Sequence, residues 1–143
     1  MHLGLRNGLL FRSVDRKVVM ILNQKLKVPR KNSENPAAGK QFQISMIPLL
    51  NTHFGVQFNT EKPIPIGFPS KLHNFDFLSE DSSIVGECKN YSWTNTGNIP
   101  SAKISYLNEA AFYLTLVQNA EKKFIIMRRD LHPIKKISLA EYY

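Results

Sequence analysis

Asp76 interrupts an apolar run in "FDFLSEDSSIVGECKNYSW" (residues 75–93), and Glu87 and Lys89 flank Cys88 on the next one. Charged residues are among the least often buried, and burying them is costly unless they pair or bind a metal. With Glu80 and Asp81 as a two-residue turn, residue 79 faces 82, 76 faces 85 and 74 faces 87. Side chains alternate along strands and directly opposed residues share a face, so Asp76, Glu87 and Lys89 project together. Phe75, Phe77, Ile84, Gly86 and Cys88 then form the core face. A four-residue loop keeps these faces, whereas a one-residue slip reverses them.

Two close carboxylates repel unless a cation lies between them. Mg²⁺ suits carboxylate oxygens, keeps several waters and shares its shell with substrate phosphates, and Mn²⁺ can substitute for it. The expected ligands are Asp76, Glu87 and the backbone carbonyl of Cys88. A bound metal acidifies water and neutralises charge on a phosphate, while Lys89 orients the attacking water and stabilises developing charge. Such chemistry is phosphodiester hydrolysis.

The elements that must position these residues are legible in outline. "GLLFRSVDRKVVMILNQKLKV" reads as a basic hairpin turning at "SVDR", and "PRKNSENPAAGK" as a linker, so residues 1–35 are expected to be an N-terminal arm and 36–143 the core. Ser33 or Asn35 is expected to cap a helix from Ala37 to about His53, with Pro36 in its first turn, Phe42, Met46, Leu49 and Leu50 on one stripe, and Gly55 closing it. Pro48 is expected to kink it. "VQFNTEKPIPIG" reads as an extended edge or bend, "KLHNFDFL" and "SIVGECKNY" as a hairpin, and "TNTGNIPS" as a loop. "AKISYLNEAAFYLTLVQNA" reads as a second helix with Ile104, Leu107, Ala111 and Leu114 on one stripe. "KFIIMRR" is a strand, and "ISLAEYY" begins a helix that stops abruptly, as in a core shortened at its C-terminus. The order implies an α/β sandwich, and the crossover helix after residue 100 implies parallel pairing.

The hairpin and its flanking elements resemble the PD-(D/E)xK nuclease superfamily of restriction endonucleases and Holliday-junction resolvases. The resemblance rests on Asp76 in "NFDF", on Glu87-Cys88-Lys89 in "IVGECK", and on the helix before and the "PSAKISYLNEAAFYL" helix after them, covering roughly residues 36–130. It implies a restriction-endonuclease-like three-layer α/β/α core with a mixed central sheet, and a metal-dependent endonuclease acting on DNA. It also makes Asp76 and Glu87 metal ligands and Lys89 the catalytic lysine. Many relatives carry a glutamate on the first helix, where this chain has Gln41 and Gln43; Gln43 can support the site as a hydrogen-bond donor or a neutral oxygen, without charge. A second Glu-x-Lys, Glu121-Lys122-Lys123, has no strand aspartate before it and reads as surface.

The 143 residues suit one domain with a modest core. Nine Lys/Arg against Asp15 and Glu34 occupy residues 1–40, and ten against nine acids occupy the rest, so nearly all of the net charge of +8 is N-terminal. Such a segment attracts polyanions, nucleic acid above all. Arg16, Lys17, Lys25 and Lys27 on the arm, with Lys103, Arg128 and Arg129 on the core, are the candidate nucleic-acid contacts. DNA is the expected partner, with RNA as the alternative, and cutting both strands calls for a symmetric homodimer. Trp93 and Tyr91 are expected to pack over the sheet edge rather than stack on bases. A single cysteine, Cys88, suits a reducing cytoplasm, and no signal peptide or membrane-spanning run is read. The single cysteine and scattered His53, His73 and His132 argue against a thiol nucleophile and against zinc. The rival to a nuclease is a catalytically weak nucleic-acid-binding protein of the same fold.

Overall fold

The computed structural model describes the strands β1 (Gly4–Arg6), β2 (Leu9–Val14) and β3 (Lys17–Leu22) and all residues from Pro36 to Tyr143. Ser33 and Asn35, the expected caps, lie outside the described residues, as do Arg16, Lys25 and Lys27. α1 (Pro36–Phe54) opens on its proline, and Gly55 follows at φ 69°, a conformation that glycine adopts without strain. Pro48 lies inside α1 on an exposed position. β4 (Phe58–Asn59), β5 (Lys62–Ile66), β6 (Lys71–Phe75), β7 (Phe77–Ser79) and β8 (Ile84–Lys89) follow. Then come α2 (Ser101–Leu116), β9 (Lys122–Met127) and the short α3 (Leu139–Tyr142).

Seven strands form a mixed sheet in the order β1-β2-β3-β9-β8-β7-β4. β8 and β9 are parallel, joined by the α2 crossover that parallel pairing requires. β2 and β3 form the expected hairpin, with Val14 opposite Lys17. β3 also pairs in parallel with β9, so the basic segment's strands continue the core's sheet.

Helices cover both faces. Phe42, Met46 and Leu50 of α1 pack with Phe77, Ile84, Phe124 and Ile126 on one side. Leu107, Ala110, Ala111 and Leu114 of α2 pack with Leu78, Val85, Ile125 and Met127 on the other. The chain is therefore mixed α/β, with strands whose alternation is blurred because both faces are buried. α2 ends earlier than its apolar pattern suggests: Val117 is buried but extended.

Two expectations about the central hairpin are corrected. "KLHNFDFL" is two strands, because β6 pairs with β5 in a separate two-stranded sheet and the chain bends at Asp76. The β7–β8 register places Phe77 opposite Gly86 and Leu78 opposite Val85, two residues from the expected pairing, with a four-residue loop at 80–83. Asp81 builds that loop by accepting hydrogen bonds from the Ser79 hydroxyl (2.7 Å) and from the Ser83 amide (3.0 Å) and hydroxyl (2.8 Å). These bonds hold its carboxyl down at about 2.

The C-terminal segment packs on Trp93, whose indole N–H donates to the Ile137 carbonyl (3.0 Å) while its backbone N–H donates to Asp130 (3.0 Å). Trp93 is buried, so it is a packing residue here. His132 accepts from the amides of Ile134 and Lys135 at Nδ1, which leaves Nε2 as the donor to Gly97 O (2.9 Å). Among the described residues, no helix is long and apolar enough to cross a membrane.

Candidate functional site

The candidate site lies where β6 ends, β7 begins and β8 finishes. Asp76 occupies the bend between β6 and β7, and the bend sends its neighbours to opposite sides of the sheet. Phe75 joins the α2-side core and Phe77 the α1-side core, which corrects the expectation that the two share a face. Asp76 is held twice. Its main-chain carbonyl accepts from Gln43 Nε2 of α1 (2.9 Å), and its Oδ2 accepts from the Cys88 amide (2.7 Å). Gln43, 5% exposed, thus supports the Asp76 backbone rather than its carboxylate.

Glu87 is 5% exposed, and Lys89 Nζ donates to its Oε2 at 3.0 Å. Both face the same way because they are alternate residues of β8. His73 Nε2 stands 3.5 Å from the other oxygen, Oε1. Burial pushes the Glu87 carboxyl up; Lys89 opposes this and the neighbouring Asp76 adds to it, leaving the group at about 7. Burial works against the charged form of Lys89, but Glu87, Asp76 and Tyr91 together outweigh it and raise the ammonium's pKa. His73 is lowered, chiefly by burial and then by Lys89, against Asp76 and Glu109.

A stability prediction follows from Glu87. Its folded-state pKa of about 7 lies above the ordinary 4.5, so the native state keeps a proton that the unfolded chain has lost. That contribution is full below about pH 4.5 and disappears as pH rises through about 7. The metal-free protein is expected to lose on the order of 3 kcal/mol from this group between pH 4.5 and 8. Urea unfolding in EDTA at pH 5 and pH 8 checks this, and Glu87→Gln is expected to flatten the dependence.

Cys88 points into the α1-side core, and burial raises its thiol well above the ordinary value, so it offers no thiolate nucleophile. Gly86 is the other close-packed position on β8. An ideal Cβ there would sit 2.2 Å from Phe124 Cζ, with two more ring atoms at 2.4 and 2.5 Å. The missing side chain lets the Phe124 ring lie flat on the strand that carries Glu87 and Lys89.

The other expected residues divide. The Arg128 amide donates to the Lys89 carbonyl (3.1 Å), so Arg128 and Arg129 sit at the site end of β9. Lys103, in the first turn of α2, stands 5.7 Å from the Tyr91 ring centre, two residues beyond Lys89. Lys17 starts β3 opposite Lys123, at the far end of β9 from the site. Arg16, Lys25 and Lys27 lie outside the described residues. Glu121 and Lys122 of the second Glu-x-Lys are exposed.

His73 and Asn90 carried no sequence signal. His73 reaches the site because the separate β5–β6 hairpin folds back on α2, where its ring lies 4.4 Å from Tyr113. Asn90 is buried immediately after Lys89, and its Oδ1 has no hydrogen-bond partner.

Among the described residues, no three or more His, Cys, Asp or Glu side chains stand together in a group that could hold a metal ion. The oxygens the structure brings near Lys89 are those of the Asp76 and Glu87 carboxylates, all hard donors. That set fits a small divalent cation that keeps several waters, and the raised Glu87 carboxyl is the group such a cation would relieve. No family model matches the chain, and no curated protein or solved structure matches it.

Proposed function

We propose that the protein is a divalent-metal-dependent endonuclease hydrolysing phosphodiester bonds in DNA, a relative of the PD-(D/E)xK nucleases with their three-layer core. The observation that carries the reading is the Asp76–Glu87–Lys89 cluster, with Lys89 Nζ 3.0 Å from Glu87. A buried glutamate beside a half-buried aspartate and lysine has little structural use, because well-packed apolar residues cost less to bury. Asp76, Glu87 and the Cys88 carbonyl would hold Mg²⁺, or Mn²⁺ in its place. The ion would supply charge neutralisation at the phosphate and a more acidic water.

The chain's own residues do the rest. Cys88 N–H holds the Asp76 carboxylate in place by donating to Oδ2. Glu87 orients Lys89 Nζ, which holds the attacking water and the non-bridging phosphate oxygen. The water oxygen bonds to phosphorus as the phosphorus–sugar-oxygen bond breaks, the water's proton passes to solvent, and the departing oxygen takes up a proton. Arg128 and Arg129, at the same end of the sheet, hold flanking phosphates.

Two observations favour the rival, a nucleic-acid-binding protein with little catalysis. α1 contributes an amide to the Asp76 carbonyl and no acid, and both Glu87 oxygens already face a cationic or imidazole partner. Supercoiled plasmid and branched DNA incubated with Mg²⁺, Mn²⁺ or EDTA separate the readings. Metal-dependent nicking is expected. Binding without cleavage in either metal would favour the rival, and neither binding nor cleavage would overturn both.

A further inference from the structure

The β5–β6 hairpin exposes apolar side chains that the fold does not use. Phe68 at its tip is 100% exposed and Leu72 is 73% exposed, with Pro65 and Pro69 exposed beside them. The hairpin's other face is anchored: Ile66 and Phe75 are buried in the α2-side core, with Ile64 packed against it. Gly67 lies against Leu116 of α2, 3.7 Å from where a Cβ would stand. A fixed base therefore carries a protruding apolar tip.

Two observations bear on what the tip meets. From Lys62 to Phe75 the hairpin carries two exposed lysines, Lys62 and Lys71, and no acid, and Lys71 begins β6 directly after the tip. Such a surface complements a polyanion, and a base stack is the polyanion interior that also accepts a phenyl ring. The hairpin is also continuous with the candidate site, since β6 runs straight into Asp76. DNA lying across Asp76, Glu87 and Lys89 would pass along the hairpin.

We propose that Phe68, backed by Leu72, is a wedge that enters the base stack of DNA bound at the site, with Lys71 on an adjacent phosphate. The proposal rests on the nucleic-acid reading above and adds what the protein does to the bound DNA. β6 is five residues long, which spans about 16 Å and corresponds to roughly five base-pair steps between wedge and scissile phosphate. The wedge favours substrates with a weakened step at that distance, such as a branch or a mismatch.

Duplex and branched DNA bearing 2-aminopurine at successive positions test this with the full-length protein in EDTA, where nothing is cut. Wild type is expected to raise 2-aminopurine fluorescence at least about twofold at one or two adjacent positions, reporting unstacking. Phe68→Ala is expected to abolish the rise and weaken binding about tenfold, with Phe68→Tyr retaining both. Full exposure of Phe68 means that its replacement leaves the fold intact. Equal DNA binding by Phe68→Ala and wild type, with no unstacking in either, would overturn the wedge and leave the nuclease reading standing. Loss of self-association in Phe68→Ala by sedimentation, with DNA binding unchanged, would also overturn it and assign the tip to a second copy. Absence of DNA binding by wild type would overturn the wedge together with the reading beneath it.

Discussion

Lys89→Ala is expected to reduce metal-dependent DNA cleavage by about 100- to 1,000-fold while leaving DNA binding within about threefold of wild type, the loss typical when one preorganised donor to a developing charge is removed. Lys89 is well placed for such an effect. It is largely buried, its charged form is favoured by Glu87, and its Nζ is held at 3.0 Å from that carboxylate. A fixed ammonium needs no reorganisation when charge develops on the phosphate. Its removal also acts on Glu87, since the lysine is what opposes the upward shift of that carboxyl. The variant should therefore bind Mg²⁺ more weakly than wild type at pH 7 and recover part of that binding as the pH is raised. Lys89→Arg is not expected to rescue cleavage, because a planar guanidinium does not reproduce a compact point charge. Single-turnover cleavage at saturating protein measures the chemical loss, and filter binding in EDTA measures DNA affinity. Cleavage by Lys89→Ala at the wild-type rate would remove the lysine from the mechanism.

Gly86→Ala is expected to cost about 3 kcal/mol or more of stability, at the upper end of what overpacking a core produces. The new methyl would lie within 2.5 Å of three Phe124 ring atoms. The ring has no room to yield. It is stacked on Phe77 at 5.9 Å between centroids, meets Phe58 edge-on at 6.0 Å, and lies 5.3 Å from Phe54. The clash must then separate β8 from β9, which moves Glu87 relative to Asp76. Chemical denaturation of wild type, Gly86→Ala, Phe124→Leu and the double variant measures this as a coupling. The double variant is expected to be more stable than Gly86→Ala alone, because the smaller side chain vacates the space that the methyl needs. A double variant less stable than both single variants would show that the contact does not hold the strands in place.

Much of the candidate site could be read from short-range pattern. Glu87 and Lys89 share a direction because they are two residues apart on a strand, and no tertiary contact is needed to establish that. The loop of four residues, rather than two, shifts the pairing by two positions and so preserves the faces. Asp76 is different. Alternation placed it simply opposite residue 85, whereas a bend at Asp76 puts Phe75 and Phe77 in separate cores and turns its carboxylate onto the Cys88 amide. Pattern could not reveal the bend, because both flanking phenylalanines are apolar and both sheet faces are covered. Gln43 was legible as a helix residue near the site, but the sequence held nothing about its bond going to a main-chain carbonyl.

The sequence by itself determined the local elements: the proline-initiated first helix, the Glu87–Lys89 strand, the crossover helix with Leu107 and Leu114 inward, and the turn residues between them. These depend on interactions over a few residues, where residue type and period carry the information. The tertiary structure alone decided the four-residue turn gathered around Asp81, the detachment of β6 into its own hairpin, the delivery of His73 to Glu87, and the parallel pairing of β3 with β9. Each joins groups through side-chain hydrogen bonds or strand pairings chosen by the competition of whole surfaces for burial. β3 and β9 lie about a hundred residues apart in sequence, and no periodicity in either strand names its partner.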